Sequence, residues 1–171
     1  MRIHALALLP LLAVSACSEN PQTSKAEAAT RAASIDGGMW ETIAEVKDLK
    51  STDSGTPKID TPAGTRLTSS LCVGEGDAAR PSPALFVGAD YDCTYSNFYM
   101  RSGRINAQMM CTRKGLQGDI GVTVDGTFTA DAFEGTIDTV SYLTTDGDVQ
   151  IKSQMTGRRT GDCAPEAEAQ S

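Results

Sequence analysis

Few side chains in this sequence can do chemistry, and five of them are cysteines: Cys17, Cys72, Cys93, Cys111 and Cys163. Thiols can hold a metal, attack a carbonyl, close disulfides or carry a lipid. The last four are separated by 20, 17 and 51 residues with no C-x-x-C pair, so their spacing does not describe a zinc site. The single histidine, His4, sits in the amino-terminal apolar segment. A chain that loses this segment has no imidazole. That removes Ser-His-Asp and Cys-His catalysis, imidazole acid–base work and imidazole metal ligation. No catalytic residue, metal or cofactor is expected.

Arg158, Arg159 and Asp162 form the most suggestive polar cluster. One reading makes an arginine an anion-binding fork. The other pairs an arginine with Asp162 to brace the chain beside Cys163, an ordinary role for an exposed pair. Glu134 is a lone carboxylate, whereas carboxylate catalysis generally works in pairs. Gly74-Glu75-Gly76-Asp77-Ala78-Ala79 has the letters of a dinucleotide fingerprint, but Pro81 and Pro83 follow at once and no β-α-β unit surrounds it. It reads as an acidic loop. Asp146 and Asp148 lack the spacing of a calcium loop and read as a turn. Trp40, Tyr95 and Phe98 read as core or sheet-face residues rather than a ligand cage.

The ends of the chain say where these groups are delivered. Arg2, the apolar run Ala5 to Val14 and the small Ser15 and Ala16 have the layout of an export signal. The run is about half of the roughly 20 residues a membrane span needs, and Pro10 interrupts it. Residues 1–16 are therefore expected to be absent from the mature chain. Val14-Ser15-Ala16 suits ordinary signal peptidase; Val14-Ser15-Ala16-Cys17 also resembles a bacterial lipobox, whose cysteine is joined to a diacylglycerol. Cysteine arithmetic favours the lipobox. Without Cys17 four cysteines remain, an even number in an oxidising compartment. By the same resemblance, Ser18 implies sorting to the outer membrane, facing the periplasm. The acyl chains supply the membrane affinity, at about 0.8 kcal/mol per buried methylene. Loss of Arg2 leaves 14 basic against 22 acidic residues, net −8. A surface that acidic argues against nucleic acid and anionic headgroups as partners.

Residues 17–36 read as the lipidated cysteine and a polar tether, and residues 164–171 as a disordered tail. Residues 37–163 remain as one domain, large enough for a real core. Its periodicity is two, the strand period. Trp40, Thr42, Ala44 and Val46 alternate with Glu41, Glu45 and Lys47; Ile120, Val122 and Val124 with Gly121, Thr123 and Asp125; Val149, Ile151, Ser153 and Met155 with Gln150, Lys152 and Gln154. Asp125-Gly126, Asp146-Gly147 and Ser102-Gly103 are turn signals. One short helix is expected near residues 82–87, opened by Pro81 or Pro83. The expected fold is all-β and mainly antiparallel: a curled meander sheet or partly open barrel of about seven or eight strands.

Two hairpins can be set in register. If Tyr91–Met100 and Arg104–Thr112 pair around Ser102 with a three-residue loop, Cys93 faces Cys111, Tyr95 faces Met109 and Tyr99 faces Ile105. Gly103 then takes the left-handed position that ends such loops. Register, turn chemistry and a disulfide agree on Cys93–Cys111, and Cys72–Cys163 follows by elimination. In the second hairpin a type I′ turn at Asp146-Gly147 would place Tyr142 opposite Ile151.

Several fragments carry a resemblance together. Gly38-Met39-Trp40-Glu41 opens the domain, Cys72-Val73 follows a strand, and Cys93 and Cys111 flank a hairpin. Phe133-Glu134-Gly135-Thr136 lies mid-sheet, and Met155-Thr156-Gly157-Arg158-Arg159-Thr160-Gly161-Asp162-Cys163 closes the domain. Their order resembles a bacterial family of domains of unknown function, number 3617, of exported and often lipidated envelope proteins. The resemblance spans roughly residues 37–163, and its closing run is the most specific part. The Gly74–Asp90 segment departs from it in length. It implies a location and a cysteine pattern, but no activity. The expected function is that of a membrane-anchored envelope lipoprotein with a non-enzymatic β domain. The alternative is a periplasmic carrier holding a small apolar ligand inside the curled sheet, lined adaptably by Met100, Met109, Met110 and Met155. An open apolar cavity would favour the carrier; a filled core would not.

Overall fold

The computed structural model describes residues 32–164. The expected signal, Cys17, the tether up to residue 31 and the tail from residue 165 lie outside them. Seven strands form one antiparallel sheet: β1 (Gly38–Ser51), β2 (Arg66–Val73), β3 (Tyr91–Arg101), β4 (Arg104–Arg113), β5 (Gly118–Phe128), β6 (Ala132–Leu143) and β7 (Val149–Gly161). Their order is β2-β1-β7-β6-β5-β4-β3. Strands β3 to β7 are the expected meander. The sheet curls into a half-barrel whose edge strands, β2 and β3, do not pair with each other. A 3-10 turn (Glu75–Asp77) and one short helix, α1 (Ala84–Val87), lie between them in sequence.

The alternating pattern becomes a one-sided core. Ala107, Val124, Ile137, Ser153 and Val46 are successive cross-strand partners from β4 to β1, and all are buried. Met109, Val122, Thr139 and Ile151 make the next row. Slipping any strand by one residue would turn its part of these rows out to solvent. Both open ends are stoppered. At one, Ile35 is buried, the Asp36 N–H donates to the Ala130 carbonyl (2.7 Å) and Trp40 Nε1 donates to the Asp36 carbonyl (3.0 Å). Residues 32–36, read as tether, therefore pack as part of the domain. At the other end the β1–β2 loop buries Ile59 and ties down through a Gly147 N–H to Thr56 carbonyl bond (2.8 Å).

Cys93 lies opposite Cys111, and Tyr95 opposite Met109, as the hairpin register predicts. Beyond Tyr95 the register changes. A bulge at Ser96 places Asn97 opposite Gln108, so Tyr99 faces Asn106 instead of Ile105, and Met100 takes the Ile105 position. The loop is then two residues, Ser102-Gly103, with φ of 52° and 71°, a type I′ turn rather than a three-residue loop. Burial explains the preference: the bulge turns Met100 into the core, at 7% exposure, and leaves Tyr99 at 37%. An uninterrupted register would do the reverse.

The second hairpin also departs from expectation. Thr139, not Tyr142, faces Ile151, and residues 144–148 connect β6 to β7. Asp148 Oδ1 accepts from the Leu143 N–H (2.7 Å) and Ser141 Oγ (3.1 Å), while the Val149 N–H donates to Ser141 Oγ (2.8 Å). Side chains substitute for ladder bonds there and lengthen the turn. Gly147 serves a close approach, since a Cβ on it would stand 2.5 Å from the Gly55 carbonyl carbon. Asp125-Gly126 is not a turn. Gly126 lies within β5 opposite Gly135, where a Cβ on either would strike backbone of the neighbouring strand (2.4 Å and 2.1 Å). The pair lets two strands approach closely on the curl.

Candidate functional site

The half-barrel is not filled along its whole length. A cleft of about 430 Å³ opens between β2 and the α1–β3 side, within the size range of small-molecule sites. Its floor is apolar: Ala44 and Val46 of β1, Val122 of β5, Ile137 of β6 and Ile151 of β7. Thr139 and Ser153 add two hydroxyls to it, and among the described residues neither makes a side-chain hydrogen bond. Leu67 of β2, 54% exposed, forms an apolar lip. Asp90, Tyr91 and Arg113 also line the cleft, with the Arg113 guanidinium over the Tyr91 ring at 5.2 Å from its centroid.

Residues 74–90 form a strap between the two edge strands, and its last part, Phe86 to Asp90, makes a further wall of the cleft. The strap's first residues have the letters of a dinucleotide fingerprint, but Gly74 precedes only a one-turn 3-10 segment. The strap is fastened on both sides. Thr42 Oγ1 of β1 donates to the Leu85 carbonyl (2.8 Å). Tyr95 of β3 donates its hydroxyl to the Pro81 carbonyl (2.8 Å), and burial pushes this phenol above its ordinary range against the opposing pull of Arg80. The Arg80 guanidinium lies 5.4 Å and 5.5 Å from the Tyr95 and Phe98 ring centroids. Phe86, buried on α1, meets Phe133 edge-on at 5.6 Å. Helix α1 is thus placed by tertiary contacts, as a single helical turn must be.

The polar cluster at the chain's end divides. Successive strand residues point to opposite faces, and Arg158 is exposed while Arg159 is partly buried. Arg159 Nε donates to the Gly37 carbonyl (2.7 Å), and its Nη2 pairs with Asp162 Oδ1. Arg159 and Asp162 therefore brace the sheet beside Cys163, and the two arginines do not form one fork. Cys72–Cys163 and Cys93–Cys111 are both disulfides, with Cα separations of 5.5 Å and 4.0 Å. Glu134 is exposed on β6 between Thr127 and Thr156. Trp40 is fully buried and stacks on Phe133 at 5.6 Å. Met100, Met109 and Met155 are core, and Met110 is 48% exposed. None of the four lines the cleft, which corrects the expected methionine lining. Leucine, valine and isoleucine take that place.

Sequence reasoning did not single out Thr139, Ser153, Leu67 or Arg113 as a group. Ser153 did carry a signal, being a polar residue at an inward position of an otherwise apolar stripe. Arg113 carried half of one: the register that pairs Cys93 with Cys111 also sets it opposite Tyr91, as observed, but not beside the strap.

The family model described as "Protein of unknown function (DUF3617)" matches residues 35–163. No curated protein and no solved structure matches the chain. The matched span begins at the buried Ile35 and ends at the disulfide-bonded Cys163, and so covers all seven strands. By that match, over three quarters of its length, the chain belongs to the DUF3617 family.

Proposed function

We propose that this protein is a lipid-anchored envelope protein, tethered through Cys17, whose non-enzymatic half-barrel carries a small, largely apolar molecule. The single observation that carries the ligand-binding part is the cleft, with its floor of Val122, Ile137 and Ile151 and its mouth beside the exposed Leu67. An apolar hollow left open to water forfeits contacts that a fitting ligand restores. The strap supports this reading, because its bonds to Thr42 of β1 and Tyr95 of β3 hold that wall of the cleft in place. The signal-like segment, Cys17 and the paired remaining cysteines support export and anchoring. The absence of histidine after residue 4 disfavours the commonest enzyme chemistries.

Native mass spectrometry of the exported, oxidised full chain tests the carrier. The expected result is a population heavier by one small molecule, released by organic extraction. Repeated preparations with no bound mass, together with no uptake of an added alkyl probe, would overturn it.

A further inference from the structure

We infer that the cleft takes a single-chain amphiphile with a carboxylate head: the head pairs with Arg113 and the alkyl chain lies on Val122, Ile137 and Ile151. The inference rests on the reading of the cleft as a ligand site and names the class of molecule. Arg113 is the cation of the lining in a chain that carries net charge −7. Among the described residues it makes no salt bridge, and its guanidinium rests on the Tyr91 ring, at 5.2 Å. Arginine stacked in this way keeps its planar fork of donors available for a carboxylate. The apolar floor then asks for the opposite kind of group at the other end of the ligand.

Size and charge narrow the class. A volume of about 430 Å³ lies toward the lower end of the range of small-molecule sites. That suits one chain of about a dozen carbons with its carboxylate better than a two-chain lipid. One arginine matches one negative charge. Asp90 lines the same cleft and opposes any anion there, a dianionic phosphate head more than a carboxylate. Thr139 and Ser153 offer hydroxyls to a substituent partway along the chain.

The test uses the full-length chain with Cys17→Ser, so that no attached acyl group competes, exported and oxidised. Dodecanoate, dodecanol, dodecyltrimethylammonium and dodecyl phosphate are titrated calorimetrically below their micelle concentrations. Dodecanoate is expected to bind about tenfold more tightly than dodecanol, a preference of the size a charge-assisted pair gives, with the cationic probe weakest. Arg113→Gln should abolish the preference for dodecanoate over dodecanol. Leu67→Glu, at an exposed lip, should weaken dodecanoate more than dodecanol. Equal binding of dodecanoate and dodecanol, or a preference that survives Arg113→Gln, would overturn the carboxylate head and leave the apolar cleft standing. Tighter binding of dodecyl phosphate would overturn the choice of carboxylate. Failure of all four probes to bind would overturn the cleft reading itself.

Discussion

A Cβ on Gly157 would stand 2.1 Å from Cζ of Phe133, its cross-strand partner. The Phe133 ring fills the space a side chain at 157 would take, lying against Trp40 on one side and Phe86 on another. Three fragments of the family resemblance, around Trp40, Phe133 and Gly157, are thus parts of one packed corner. Gly157→Ala should lower the unfolding free energy by about 2–3 kcal/mol through overpacking. In a Phe133→Leu background the same change should cost at least about 1 kcal/mol less, because the two sites couple directly. Urea denaturation of the four proteins measures both values, and additive costs would contradict this account of the glycine.

The same corner is closed covalently by Cys72–Cys163, which spans 91 residues, while Cys93–Cys111 spans 18. Chain entropy makes the longer closure worth more: about 4–5 kcal/mol against about 3 kcal/mol. Replacing Cys72 and Cys163 together by Ala should therefore lower the denaturation midpoint further than replacing Cys93 and Cys111. A reversed order would mean that the cross-strand bridge contributes through native packing rather than loop closure.

Ser102 holds φ at 52°, a left-handed conformation that a residue with a Cβ adopts at a cost. Asn accepts this conformation more readily and would complete an Asn-Gly type I′ turn. Ser102→Asn should raise stability by about 0.5–1 kcal/mol, read from the same denaturation curves. A loss of stability would argue against the two-residue turn.

Period-two patterning made the inward rows legible, because burial on one face leaves its mark at every second residue. Turn positions were less legible. Asp125-Gly126 and Asp146-Gly147 both have turn composition, but only the second lies in a connection; Gly126 serves close approach to Gly135 on the next strand, and Gly147 to the sequence-distant Gly55. The bulge at Ser96 was hidden for a related reason: it is set by whether Met100 or Tyr99 is buried, a matter of tertiary packing. The disulfide pairing was readable because one cross-strand pair fixed the other by elimination. The cleft was not readable, since it exists only where the strap, β2 and the far strands are brought together.

Tyr95 predicts how stability falls in alkali. Its phenol is raised above the ordinary value of about 10, chiefly by burial, while it donates to the Pro81 carbonyl. The unfolded chain therefore releases this proton at lower pH than the folded one. The resulting stability is fully present below about pH 10 and is lost as pH rises above it. Absorbance titration should show one of the four tyrosines resisting ionisation until the protein unfolds. Tyr95→Phe should flatten the alkaline slope of stability while costing about 1 kcal/mol at neutral pH for the lost hydrogen bond. An unchanged slope would assign the effect to another group.

The anchor can be separated from the fold by one substitution. Cys17→Ser removes the thiol that a diacylglycerol would modify, yet leaves Val14-Ser15-Ala16, which suits ordinary signal peptidase. The described contacts of the domain begin at Ala32, whose carbonyl accepts from the Gly103 N–H (3.1 Å). The variant should therefore move from the membrane to the soluble periplasmic fraction, and its mass should match a chain beginning at residue 17 without acyl groups. Its denaturation midpoint should equal that of the detergent-extracted wild type, because both disulfides and the buried Ile35 lie beyond the substituted position. Retention of a correctly processed variant on membranes would show that the protein surface binds them directly, against its excess of acidic over basic residues, and would overturn the lipid-anchor reading.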